Sequence, residues 1–160
     1  MLTLSFKGTD TKLLTVLKQK GPAIRQVLMS RLNILMLQLQ RYIVTEKLSG
    51  QILKRRTGIL AGSIHTVPAA ERGTQITGGV QYGGGPAFYG PILESGSAAH
   101  EIFAVKARAL RFVTGGKIVF AKSVSHPGIP AKPFMLPSLE ENMADIRTQL
   151  QTAIDEAMSE

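Results

Sequence analysis

The residues able to carry chemistry are few, and their spacing rules out most kinds of reactive site. There are three histidines, at 65, 100 and 126, and no cysteine. Thiolate catalysis, disulfides and thiolate metal sites are therefore excluded. His100 with the nearby Glu94 and Glu101 offers the ligand types of a divalent-cation site. Sequence neighbours on a strand, however, face opposite ways, so His100 and Glu101 cannot converge, and no second ligand lies at helical spacing. The glycines at 83–85 lack the lysine and serine or threonine of a phosphate loop, and no helix is expected after them. No serine sits in a G-x-S-x-G elbow. His126, fixed beside Pro127, is expected to make a structural hydrogen bond. Glu140-Glu141 and Asp155-Glu156 read as capping and solvated carboxylates. The expectation is a chain with no catalytic, cofactor or metal site.

One cluster remains. Lys54, Arg55 and Arg56 form a basic run, and basic surfaces attract phosphates without reading sequence. No aromatic residues interleave with the run for base stacking, and no groove-reading helix is recognisable. Sequence-specific recognition is not expected. Loose contact with a DNA backbone, or with another subunit, stays open.

Charge is distributed unevenly. Residues 1–65 carry eleven Lys/Arg against two acids, residues 66–138 seven against three, and the last 22 residues one against six, within a net charge of +8. A basic head and an acidic tail can pair within a chain or between copies. At 160 residues and 44% hydrophobic content, one domain with a real core is expected. Lys7 and Asp10 interrupt the first apolar run, against a signal peptide. Asn33, Gln38, Gln40 and Arg41 interrupt the most apolar helix, against a membrane span.

These residues need elements to hold them. Leu2–Phe6 alternates as a half-buried strand. Asp10 caps a short helix ending near Gly21, and Pro22 opens a long one reaching about Leu48. Along it, Ile24, Val27, Leu28, Leu32, Leu35, Leu39, Tyr42 and Ile43 form an apolar stripe, with Met29, Met36 and Leu37 outside it. A helix apolar on more than one side wants two partners, either its own domain throughout or a second subunit. Two short strands come next, around a turn at Arg72-Gly73. Residues 83–99, rich in glycine and without a period, read as a long mobile loop, with Phe88, Tyr89, Leu93 and Glu94 as its anchors on a neighbour. "EIFAVKARALRFV" and "KIVFAKSV" read as two more strands around Thr114-Gly115-Gly116.

Between Val124 and Ser138 come Pro127, Pro130, Pro133 and Pro137. Each fixes its own backbone and pushes the preceding residue towards an extended form, so the stretch is a stiff connector. With His126 at its start, Phe134 and Met135 are expected to pack beneath the closing helix. Ser138 with Glu141 has the spacing of a capping box for that helix, whose inner face is Leu139, Met143, Ile146, Leu150, Ala153 and Ile154. The expected class is α+β: a mainly antiparallel sheet of four to five strands packed by a long N-terminal and a C-terminal helix. Residues 1–160 form one domain, divided into strand and helices (1–48), meander with the loop 83–99 (49–124), and connector with closing helix (125–160).

"SGQILKRRTGILAGSI", "YGPILESG" and "KARALRFVTGGKIVFAKSVSHPGIPAKPFMLPSLEE" occur in that order, ahead of the rest of the closing helix. Over about residues 48–155 this set resembles the neck and tail-completion proteins, also called minor tail or virion morphogenesis proteins, of long-tailed bacteriophages. The resemblance implies a non-catalytic virion protein without cofactor, made in the host cytoplasm. Its copies would form a ring, commonly sixfold, between the head connector or stopper and the tail tube or tail terminator. Genomic DNA would pass through that ring, and no membrane would be involved. Lys54, Arg55 and Arg56 would then face the channel or a neighbouring subunit. The competing expectation is a small basic accessory protein that binds DNA without sequence preference.

Overall fold

The computed structural model describes residues 2–5, 21–50, 57–73, 75–83 and 85–159. The short helix expected after Asp10 and the basic run Lys54–Arg56 lie outside the described residues. Contacts divide the chain into two compact units, Met1–Gly90 with Pro133–Glu160, and Pro91–Lys132.

In the first unit, strand β1 (Leu2–Ser5) precedes helix α1 (Gly21–Tyr42), which continues as a π-helical turn through Ile43–Lys47. The turn closes with the Leu48 N–H donating to the Ile43 carbonyl at 3.1 Å. That wider loop lets Ile43 and Leu48 both point inward, and both are buried. After the short helix α2 (Ile59–Ser63) come β2 (Ile64–Arg72) and β3 (Gln75–Tyr82). All pairings are antiparallel and the order is β1-β3-β2, with β3 central. Gly73 (φ +63°) makes the turn between the last two strands, a conformation that suits glycine.

The helix α1 packs on β2 and β3 and also against the closing helix α4 (Met135–Ser159). Its own chain thus supplies two partners and Met36 is completely buried, while Val27, Ile34 and Leu37 stay exposed. Close approach to the sheet depends on Gly78, where a Cβ would lie 3.1 Å from Leu32 Cδ2. Two polar residues within the apolar helix serve the sheet. Asn33 Oδ1 accepts the N–H of Ala69 at 2.7 Å, where β2 bulges between Val67 and Ala70, and Gln40 Nε2 donates to the Ile64 carbonyl at 2.8 Å. Backbone groups that a bulge or strand end leaves unpaired are thereby satisfied.

The closing helix begins four residues earlier than a capping box at Ser138 requires. Ser138 lies inside it, fully buried, and donates its hydroxyl to the Phe134 carbonyl at 2.5 Å. Pro137 is tolerated because the first-turn N–H groups of a helix have no intrahelical partner. Leu139, Ile146, Leu150, Ala153 and Ile154 form the buried face, as the spacing predicts, while Met143 is half-buried.

The second unit holds most of α3 (Gly90–Ser95) and the strands β4 (His100–Phe103), β5 (Leu110–Thr114), β6 (Lys117–Ala121) and β7 (Ser123–His126). They form two separate antiparallel ribbons, β4 with β7 and β5 with β6. The α+β class holds, but the strands do not join into one sheet of four to five. "EIFAVKARALRFV" divides at residues 104–109, and "KIVFAKSV" divides at Lys122, so one expected hairpin becomes two successive ladders. The stretch 83–99 is also not an aperiodic loop. It contains a 3-10 turn at Gly85–Ala87 as well as α3.

Candidate assembly surface

The connector is built by lacing to the segment that precedes β4. Ser97 and Ile129 exchange both backbone hydrogen bonds, at 2.9 and 3.1 Å, and the Lys132 N–H donates to the Leu93 carbonyl at 2.7 Å. The backbones approach so closely that two positions must be glycine. A Cβ at Gly96 (φ +75°) would meet the Ile129 carbonyl at 2.8 Å, and one at Gly128 (φ +87°) would overlap the Ser97 carbonyl oxygen. His126 Nδ1 accepts the Gly128 N–H at 3.1 Å, fixing the bend after Pro127. Pro127, Pro130 and Pro133 lie in the strand-free stretch between β7 and α4. Phe134 ends it completely buried, its ring 6.0 Å from that of Tyr82.

His100 and His126 occupy facing positions on β4 and β7, with ring centroids 5.1 Å apart and planes inclined by 32°. His100 Nδ1 donates to the Ala98 carbonyl at 3.0 Å. Glu101 is paired instead with Ser125, on the other face of the ribbon. Among the described residues no group of three or more His, Asp or Glu side chains is placed to hold a metal ion. No described helix is long and apolar enough to cross a membrane.

The anchors expected between 83 and 99 are Phe88, Tyr89, Leu93 and Glu94. Phe88 is 73% exposed and meets Tyr89 edge-on at 6.0 Å, whereas Leu93 and Glu94 are half-buried on α3. The larger apolar surface is elsewhere. On the β5–β6 ribbon Val113 faces Ile118 and Arg111 faces Phe120, and the three apolar residues are 65%, 53% and 66% exposed. The opposite face, Leu110, Phe112, Val119 and Ala121, is half-buried. Alternation in the sequence puts Ile118 and Phe120 on one face but gives no sign that the face is uncovered. No residue from Pro91 to Lys132 is buried.

Charge sorts along the same lines. Within the first unit the basic head and acidic tail do pair: Lys47 with Glu141 at 2.7 Å, and Arg31 with Glu156 at 3.8 Å. Glu141 also accepts the Tyr42 hydroxyl at 2.6 Å. The hydrogen bond from Lys47, then that from Tyr42, holds the Glu141 carboxyl below the usual carboxylate range. The hydrogen bond to Glu141 raises both Lys47 and Tyr42 above their ordinary values. Residues Lys106, Arg108, Arg111, Lys117 and Lys122 make no ion pair among the described residues. Compared with family models, curated proteins and solved structures, the chain finds no match.

Proposed function

We propose that this chain is a non-catalytic structural subunit of a phage virion. In this reading its copies assemble as a ring at the neck or tail end, around the channel through which DNA leaves the head. The observation that carries the assembly part is the second unit. A segment of only about 40 residues cannot normally supply its own core, and Pro91–Lys132 has no fully buried side chain while exposing Phe103, Val105, Val113, Ile118 and Phe120. Such a segment is stabilised by being covered. The neck or tail-end location rests on the sequence resemblance over residues 48–155. The connector or stopper, the tail tube or the tail terminator would be the neighbours on either side.

The test has two parts. Light scattering and electron microscopy of the purified protein should reveal closed rings. Particles lacking it should accumulate unjoined heads and tails. Fully infectious particles made without the protein would overturn the virion assignment.

The cations of the second unit, which make no ion pair among the described residues, favour one other reading, a non-specific DNA-binding accessory protein. That reading requires tight binding to random duplex DNA at physiological salt, falling steeply as salt rises. Absence of such binding in a titration removes it.

A further inference from the structure

We propose that His126 is a proton-sensitive latch: a proton on its Nδ1 releases the connector from the segment that precedes β4. The inference goes beyond the assembly reading and does not depend on it.

The protonation pattern of the two stacked rings follows from partners that have only one role. A backbone N–H can only donate. His126 Nδ1, which accepts the Gly128 N–H at 3.1 Å, therefore carries a lone pair, and the proton of the neutral ring sits on Nε2. A carbonyl oxygen can only accept. His100 Nδ1, 3.0 Å from the Ala98 carbonyl, therefore carries the proton, and the lone pair of that ring is on Nε2. Acid acts on the two rings differently. His100 takes a second proton on Nε2 and keeps its bond to Ala98. His126 can take one only on Nδ1, where the new N–H would point at the Gly128 N–H. Charging both rings would also set two cations against each other, with centroids 5.1 Å apart.

The bond at His126 holds more than itself. It fixes the bend through Pro127 and Gly128, and Gly128 lies so close to Ser97 that a Cβ there would overlap the Ser97 carbonyl oxygen. The next residue, Ile129, exchanges backbone hydrogen bonds with Ser97 at 2.9 and 3.1 Å and donates to Ser97 Oγ at 3.1 Å. Release of the bend frees this lacing, and with it the Lys132 N–H bond to the Leu93 carbonyl. Protons have access, since His100 is exposed and His126 half-buried.

Within the β4–β7 ribbon no fixed charge shares the face of the pair. The next pair on that face is Ile102 with Val124, whereas Glu101 faces Ser125 on the other side. The charged groups on the adjoining segments are Glu94, Lys106, Arg108, Lys122 and Lys132. Glu94 is the one carboxylate among them, and the test below includes it. Because the closed form excludes a proton that the open form binds, opening gains as pH falls. The gain is up to about tenfold for each pH unit below about 6.5, where an unconstrained imidazole charges.

NMR of the full, isotope-labelled chain between about pH 8 and about pH 5 tests the latch. At the upper end the imidazole nitrogen shifts should place the proton of His126 on Nε2 and that of His100 on Nδ1. On acidification the protection of the Gly128 and Ile129 amides, corrected for the intrinsic pH dependence of exchange, should fall by up to about tenfold per pH unit. The amides of α1 and α4 should keep theirs. His126→Asn supplies a side-chain oxygen that accepts the N–H two residues on and does not titrate, so its protection should stay flat. His100→Gln should retain a fall.

A neutral His126 protonated on Nδ1 overturns the proposal, as does flat protection in the wild type. So does a fall in His126→Asn that matches the wild type, or one abolished by His100→Gln or by Glu94→Gln, which would put the sensor at those residues. Circular dichroism checks that each variant folds. Should His126→Asn fail to fold, the wild-type ring protonation and amide protection decide.

Discussion

Replacing Phe134 tests the joint between the proline connector and the closing helix. Its side chain has no exposure, packs its ring 6.0 Å from Tyr82 at 51°, and precedes Met135, which is 2% exposed. Met135 in turn borders an apolar void of only about 10 Å³ with Met36, Leu39, Ile43, Val80 and Leu139. A core this tight has little slack with which to collapse around a deletion. Phe134→Ala should therefore cost the full transfer and cavity terms, about 3–5 kcal/mol. About 0.5–1.5 kcal/mol of that belongs to the ring pair. Phe134→Leu keeps most of the volume and should cost roughly 1 kcal/mol. In a chain of this size these correspond to drops of about 6–20 °C and about 2–4 °C in Tm. Neither change touches the hydrogen bond that Ser138 donates to the Phe134 carbonyl, because that bond uses the backbone. Urea and thermal unfolding monitored by far-ultraviolet circular dichroism measure both. If Ala and Leu cost the same, and both less than about 1 kcal/mol, Phe134 is not a packed anchor.

Three further outcomes are expected. Asn33→Ala leaves the Ala69 N–H at the β2 bulge without its acceptor; it should cost about 1–3 kcal/mol in urea unfolding and speed amide exchange at Ala69, while Asn33→Asp, which retains an acceptor, should cost less. Gly128→Ala places a methyl group onto the Ser97 carbonyl in a left-handed conformation; it should make Pro91–Lys132 susceptible to protease while the melting of the helices changes little. Because Glu141 is held below its ordinary range, its contribution to stability is present above that range and is lost as pH falls through the lowered value. Lys47 and Tyr42 are raised, so theirs is present up to their ordinary values and lost as pH rises through the raised ones. Glu141→Gln should flatten both limbs of the stability–pH curve, and a Gln variant whose acid limb matches the wild type would contradict the assignment.

Helical periodicity is the most informative part of the sequence. The stripe from Ile24 to Ile43 and the inner face from Leu139 to Ile154 depend only on local spacing; burial follows them at Ile24, Leu32, Leu35, Leu39, Ile43 and along the inner face, but Val27 is exposed and Met36, outside the stripe, is completely buried. Asn33 and Gln40 look like interruptions because their partners, Ala69 and Ile64, are 36 and 24 residues away. The same limitation explains Ser138. Its spacing to Glu141 satisfies a capping box, but burial of Phe134 and Met135 draws the helix start back to Met135, and Glu141 turns to Lys47 and Tyr42 instead. At Lys122 and residues 104–109 the apolar alternation runs on while the ladders break, since pairing partners are chosen non-locally. Pairing of His100 with His126 likewise comes from register and not from either residue's neighbours.

The two units differ in what holds them. In the first, hydrophobic burial between α1, α4 and the three-stranded sheet leaves no described polar side chain buried without a partner. The second has backbone lacing and glycine-permitted close approach in place of a core, and isolated two-stranded ribbons are at best marginal in water. Apolar residues at Val113, Ile118 and Phe120 are hard to reconcile with a surface meant only for solvent, where scattered single exposures are ordinary but a paired cross-strand group is not. If covering that face is what completes the second unit, its amide protection should rise when the chain associates while protection in α1 and α4's buried face stays the same. Equal protection of β5 and β6 at low and high protein concentration would mean that the ribbon stands alone, and the case for an assembling subunit would lose its physical basis.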